Sequence, residues 1–495
     1  MAMPDISRRG VLAGTIGVGA ILGLSACSSS AKSRPSALSD IEARESARTW
    51  SGKIRKFDLT ARPTEIDLGG RIAKTWIYGN SLPGKVIRVN KSDRVRVAFS
   101  NELATATSVH WHGLAIRNDM DGVPGVTSPE IPSGAGFIFD FITPDAGTYW
   151  FHPHSGTQLD RGLYAPLIVE DPNEITRYER EWIVVLDDWT DGLGKNPDQI
   201  LNELMQGNSN SSGMGDMSGM GGAGDMGGMS GMDSGDVTYP LYLINGRPIN
   251  DPEVFSAKSG ERIRLRIINA AADTIFQIAL AGHMMTVTHT DGFPVEPYQT
   301  QLLRIAMGER YDLIITAQDG VFPLVAESVG KSDIARALLR TGSGKVPEPG
   351  YRPVELDSHP LTAEMLSARE EVRLAKSSPD RIQDLILSGS MHPYEWKING
   401  RTYAKTRPLL IERNERGRFR IRNNTMMPHP IHIHGHTFQL GAAGGSGARK
   451  DTVLVPSMGQ IDVDLLADNP GKWMIHCHNA YHAEAGMMTR LDYIN

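Results

Sequence analysis

Three stretches of the chain alternate between polar and apolar positions: Arg94-Val95-Arg96-Val97-Ala98-Phe99, Arg262-Ile263-Arg264-Leu265-Arg266-Ile267 and Arg418-Phe419-Arg420-Ile421-Arg422. A period of two puts alternate side chains on opposite faces of a strand, so each stretch predicts one half-buried β-strand. Each runs into asparagine: Asn101, Asn269, and Asn423 or Asn424. The copies recur at roughly 160-residue intervals, which marks a repeated unit rather than chance. An all-β chain of three consecutive sandwich domains follows.

A second repeat carries chemistry. Gly147-Thr148-Tyr149-Trp150-Phe151-His152-Pro153-His154 aligns with Gly471-Lys472-Trp473-Met474-Ile475-His476-Cys477-His478. The middle unit offers Gly320-Val321-Phe322-Pro323-Leu324-Val325-Ala326-Glu327, with Val325, Ala326 and Glu327 where the imidazoles would stand. It has the strand without the ligands and reads as a spacer. His110-Trp111-His112-Gly113 pairs likewise with His432-Ile433-His434-Gly435. Eight imidazoles therefore arise as four His-x-His pairs, two from the first unit and two from the third. They can meet only at an interface between those units.

The predicted boundaries are 54–171 for the first domain, 181–345 for the second and 381–495 for the third. A Pro-rich, polar linker at 346–380 carries a possible helix at 362–375. A length of 495 residues suits about three domains on the prior of ~150 residues each. The net charge of -6 gives no reason to expect a nucleic-acid partner.

The N-terminus sets the compartment. Arg8-Arg9 opens a twin-arginine pattern, and the apolar run Val11 to Leu24 is too short for a comfortable membrane span. Leu24-Ser25-Ala26-Cys27 resembles a lipobox, so 1–27 is expected to be a signal peptide. Cys27 is then the lipid anchor and 28–53 a tether. The protein is expected to be exported by the twin-arginine route to the periplasm or cell envelope, anchored at the outer face of the membrane.

Only Cys27 and Cys477 occur, so cysteine usage reports no disulfide scaffold. Cys477 stands between His476 and His478, with His482 and Met487 close behind. On a strand the two imidazoles face one way and the thiol the other. Cys with two His and a long axial Met is the ligand set of a blue-copper centre. Cys477, His482 and Met487 supply three of the four, and His429 is the candidate for the last. A buried cysteine among incidental histidines is the plainer alternative, and the four His-x-His pairs argue against it.

Together these motifs resemble the four copper motifs of the multicopper oxidases, most of all the exported bacterial copper-resistance type. The resemblance spans most of the chain and implies cupredoxin-like Greek-key β-sandwich domains. It also implies four copper ions: one type 1 at His429, Cys477, His482 and Met487; one type 2 at His110 and His432; and a type 3 pair at His112, His152, His154, His434, His476 and His478. Cys477 would relay single electrons to the three-copper site through its two neighbours, for the four-electron reduction of dioxygen to water. Electrons are expected to enter through an exposed imidazole edge of His429 or His482. Asp121, in Asp119-Met120-Asp121-Gly122, resembles the family's proton-delivering acid. Several relatives place an acid directly after the blue-site histidine. Here that place is Ala483, and Glu484 follows as a second proton candidate.

Between 206 and 235 the chain is mostly Gly, Ser, Asp and Met. Met214, Met217, Met220, Met226, Met229 and Met232 offer soft thioethers that favour Cu(I), so this loop is a candidate for collecting cuprous ions. The donor expected is Cu(I), with Fe(II) or phenols secondary, in copper tolerance. A laccase acting mainly on phenols is the alternative, and a non-enzymatic copper-binding protein a further one. A monomer suffices, because both site-bearing units lie in one chain.

Overall fold

The computed structural model describes residues 37–207, 235–441 and 445–494. The expected leader with Cys27, and the methionines at 214–232, lie outside them. No helix among the described residues is long and apolar enough to cross a membrane.

The fold is all-β, built of three double-sheet sandwiches. In the first, a four-stranded sheet orders Ile72–Tyr78, Ile54–Asp67, Arg94–Asn101 and Gly136–Ile142. It faces a second sheet of Ile87–Asn90, Ala165–Glu170, Gly147–His152 and His110–His112. The middle sandwich packs a seven-stranded sheet on a five-stranded one, and the last a six-stranded on a five-stranded.

The three alternating stretches occupy the same place in each unit. Arg94–Asn101 lies parallel to Ile54–Asp67, Arg262–Asn269 to Arg180–Trp189, and Arg416–Asn423 to Arg381–Met391. The terminal asparagine explains itself by geometry. Asn101 donates to the carbonyls of Thr105 and Ile131, while its side-chain oxygen accepts from the N–H of Leu103. Asn269 and Asn423 repeat this with Thr274, Ile305 and Ala271, and with Met427, Pro456 and Thr425. One buried amide thus satisfies backbone groups that water cannot reach. Glycine recurs as well: Gly147, Gly320 and Gly471 open equivalent strands at φ +148°, +143° and +150°.

Burial alternates along the first and third copies but not along Arg262–Asn269, which is buried on both faces from Ile263 onward. Its outer face lies against the first sandwich. There Arg266 donates to the Thr148 hydroxyl, which donates in turn to Asp312. One apolar core fills the first unit around Trp111, Phe139, Phe141 and Phe151, and another runs through the middle and last units.

Two expectations need correction. Within the expected tether 28–53, Ala37–Ser46 is an α-helix docked on the body. Arg44 pairs with Asp468 at 2.9 Å, Glu45 accepts from the N–H of Ile142, and Ile41 is buried. The helix therefore bridges the first and last units. The expected linker helix at 362–375 is absent. The short 3-10 turns Ala363–Met365 and Glu370–Val372 stand there instead. Leu361 and Ala368 form bridges to Leu303 and Val295, because the apolar residues of this stretch bury along the middle unit rather than on a helix face.

Candidate metal centre

Strand pairing brings the imidazoles together. His110 pairs with His152 in one sheet of the first unit, and His432 with His476 in one sheet of the last. The two sheets meet directly. Asn118 donates to the Lys472 carbonyl, and Asn469 to the carbonyls of Ile116 and Gly435. Across that junction the rings of His112 and His432 stack with centroids 4.0 Å apart, and those of His110 and His434 lie 3.9 Å apart.

The eight imidazoles divide into two trios and a pair. Nε2 of His476 lies 3.3 Å from Nε2 of His154 and 3.0 Å from Nε2 of His434. Nδ1 of His112 lies 3.2 Å from Nε2 of His478 and 3.5 Å from Nε2 of His152. The pair is His110 and His432, whose buried Nε2 atoms have no hydrogen-bond partner.

The outward ring nitrogens face oxygen atoms. Nδ1 of His152 donates to the Pro153 carbonyl, Nδ1 of His476 to that of Cys477, Nδ1 of His110 to that of Asp121, and Nδ1 of His432 to that of Asp451. Nδ1 of His434 donates to the Asp121 carboxylate. A neutral imidazole has one proton, so these rings turn bare lone pairs inward toward one another. Burial, with the neighbouring imidazoles, opposes a second proton: His154 is pushed down to about 3, and His152, His434, His476 and His478 fall well below their ordinary value. Converging, neutral, unshared nitrogen donors are a site for a borderline metal cation, and imidazole suits copper.

The second centre lies on the other face of the same strand. Nδ1 of His429 and Nδ1 of His482 are 3.1 Å apart, and each is 3.7 Å from the Cys477 sulfur. Cys477 is free and buried. The Asn479 side chain caps the short helix Ala480–Glu484 and so sets His482. Met487, also buried, receives its place from a backbone bond between its carbonyl and the Cys477 N–H. The outer nitrogens are again engaged, His429 with the Thr425 hydroxyl at 2.8 Å and His482 with Asp236 at 2.9 Å.

No imidazole edge of this centre is exposed. His429 and His482 are 0% and 1% accessible, which corrects the expectation of an open edge. The indole of Trp396 covers both, with centroids 4.1 Å from His482 and 5.2 Å from His429. Asp236 covers the outer nitrogen of His482, and Tyr394 donates to the same carboxylate.

Of the expected acids, Asp121 joins the imidazoles. Its carboxylate lies 3.2 Å from Nδ1 of His110 and 3.1 Å from Nδ1 of His434. Glu484 does not: among the described residues no hydrogen bond links it to an imidazole. Its burial and the nearby charge of Asp198 raise its pKa. The helix turns it aside, as its position one residue beyond Ala483 allows.

Two acids escape a sequence reading. Asp451 touches His112 at 3.2 Å and His432 at 3.4 Å, repeating in the last unit what Asp121 does in the first. Each carboxylate reaches one imidazole of its own unit and one of the other. The internal repeat was the available signal, but Asp121 follows His110 by 11 residues and Asp451 follows His432 by 19. Asp236 sits just past the methionine-rich stretch and had no motif to mark it. Of the remaining histidines, His283, His289 and His436 make hydrogen bonds within the core, and His359 and His392 are exposed.

A sulfur-containing mononuclear centre joined through one strand to an interdomain imidazole cluster defines an all-β copper protein of the electron-relay class. Multicopper oxidase family models match residues 376–494, 60–174 and 180–344. Multicopper oxidase MmcO of Mycobacterium tuberculosis is 49% identical over 493 residues, spanning 99% of this chain and 97% of that protein. A copper resistance protein A homolog of Pseudomonas syringae pv. tomato is 28% identical over 541 residues, 87% of this chain and 91% of that one. Among solved structures, Fet3p, a multicopper oxidase that functions in iron import, superposes with a TM-score of 0.76 at 20% identity, covering 89% and 90% of the two chains. The chain belongs to the multicopper oxidase family. It is an oxidoreductase with four copper ions, and it passes electrons from a reductant to dioxygen.

Proposed function

We propose that the protein is an exported oxidase whose principal reductant is Cu(I), serving copper tolerance. The assignment of ligands is the one the family resemblance implies, and the donor geometry supports it. Cys477, His429, His482 and Met487 hold the type 1 ion. His110 and His432 hold the type 2 ion. The trios His112/His152/His478 and His154/His434/His476 hold the type 3 pair. The domain division 54–171, 181–345 and 381–495 belongs to the same reading, as do the twin-arginine leader and the lipid anchor at Cys27. The copper-resistance names among the relatives support copper tolerance.

Copper held by these residues would supply the one-electron chemistry by which dioxygen receives four electrons. The chain does the rest. Cys477 gives a covalent route, since the residues on either side of it are ligands of the other site. Asp236 fixes His482 by its outer nitrogen, and its buried carboxylate puts a negative charge beside that ring. Asp121 holds a proton position between His110 and His434.

The observation that carries the choice of donor is the cover over the type 1 imidazoles. A bulky phenol needs contact with an open ring edge, whereas a small cation needs only a negative group coupled to the ring, and Asp236, buried against His482, is that group. The methionines between 208 and 234 would gather that cation. The test replaces all six with serine and compares Cu(I) turnover with that of a bulky phenol. A drop in kcat/KM for Cu(I) alone is expected. Unchanged Cu(I) kinetics, or fast turnover of the phenol by the parent enzyme, would favour the laccase reading.

A further inference from the structure

By its missing ligands the middle sandwich is a spacer, yet one of its turns reaches the three-copper site. Gly308, at φ +85°, packs so closely there that a Cβ would lie 2.8 Å from His478 Cδ2 and 3.0 Å from His112 Cε1. Two residues on, Arg310 is 0% accessible. Its guanidinium donates to both carboxylate oxygens of Asp451, at 2.8 and 2.6 Å, and to the carbonyls of Thr148 and Gly308. Asp451 faces the outer nitrogen of His112 at 3.2 Å and Nδ1 of His432 at 3.4 Å. Four acceptor oxygens, on one residue from each of the three units, thus converge on one cation. Gly113 makes room for it, since a Cβ there would lie 2.3 Å from the guanidinium.

We propose that Arg310 is a positioning residue for the three-copper site. It holds Asp451 in the one orientation that fixes His112 and His432 across the junction of the first and last units. A planar fork suits this task and a point charge does not: two parallel bonds fix the plane of a carboxylate, one bond leaves it free to rotate. Asp121, the counterpart of Asp451, has no such clamp among the described residues. It is held only by the imidazoles it serves, which leaves the two halves of the site supported differently. The middle unit is therefore the third wall of the site.

The proposal rests on the ligand assignment above, and its test separates the two. Arg310→Lys and Arg310→Leu are prepared with full copper and compared with the parent by metal count, visible thiolate band and spin resonance. Outer partners of a ligand are worth roughly 10–100-fold in metal affinity. In both variants the visible band stays, the type 2 spin-resonance signal changes, and chelator removes one copper at a concentration roughly 10-fold lower or more. Lysine rescues copper retention only in part. Should the leucine variant fail to accumulate, the lysine variant decides alone. A parent-like type 2 signal and parent-like copper retention in Arg310→Lys overturn the proposal. A parent chain that shows no type 2 signal overturns the ligand assignment itself, and the proposal with it.

Discussion

Asp236 accepts a hydrogen bond from the outer nitrogen of His482 at 2.9 Å, and it is the second described residue beyond the methionine-rich stretch. One carboxylate thus joins the methionine-rich stretch, proposed above to collect Cu(I), to a proposed ligand of the type 1 centre. Removing its charge by Asp236→Asn keeps a hydrogen-bonding group of the same size. Turnover of Cu(I) should fall by about 10–100-fold while the visible thiolate band remains, since an outer partner is lost and no ligand. Steady-state oxygen uptake against Cu(I) concentration checks this; unaltered kcat/KM would remove Asp236 from the electron route.

Asp121 bonds imidazoles of both site-bearing units. Asp121→Asn retains the shape and loses the carboxylate. A positioned acid contributes roughly 100- to 10,000-fold to a proton-dependent step. Oxygen uptake at saturating donor should drop by at least about 100-fold, with four coppers and the visible band in place. A loss of copper instead would make Asp121 a support for the ligands rather than a proton carrier.

Cys477→Ser removes the soft ligand but none of the eight cluster imidazoles. The visible band should vanish and the metal count fall by one. Spin resonance should still show type 2 copper, because the unpartnered nitrogens of His110 and His432 are untouched. Loss of all copper would mean that the two centres are not separable.

His289 gives a pH signature away from the ligands. Burial disfavours its cation and carries its pKa from 6.5 down to about 4, against the pull of Asp312. The unfolded chain therefore binds the extra proton first. This contribution to stability is complete above pH 6.5 and is lost as pH falls toward 4. His289→Gln should reduce the loss on acidification by up to about 3 kcal/mol. Thermal unfolding of chelator-treated protein from pH 7 to pH 4 reads it, and parallel curves for the two proteins would refute it.

The repeated strands, their terminal asparagines and the four His-x-His pairs were legible in the sequence for a local reason. Strand alternation and ligand spacing are short-range properties, and one strand places Cys477 opposite its neighbours without help from the fold. The docked helix Ala37–Ser46 was not legible. Its apolar side is little more than Ile41, and the ion pair of Arg44 with Asp468 and the hydrogen bond from the Ile142 N–H to Glu45 tie it to distant residues.

The chain alone determined that two of three like units carry His-x-His pairs, and that one sulfur sits between two of those imidazoles. Only the tertiary structure decided that His429 and His482 are buried under Trp396, that Asp236 and Asp451 bond histidines far away in sequence, and that Arg310 of the middle unit reaches the imidazole cluster through Asp451. Those relations come from packing between units. Carboxylates and guanidinium find their partners across interfaces, where no periodicity along the chain records who will meet.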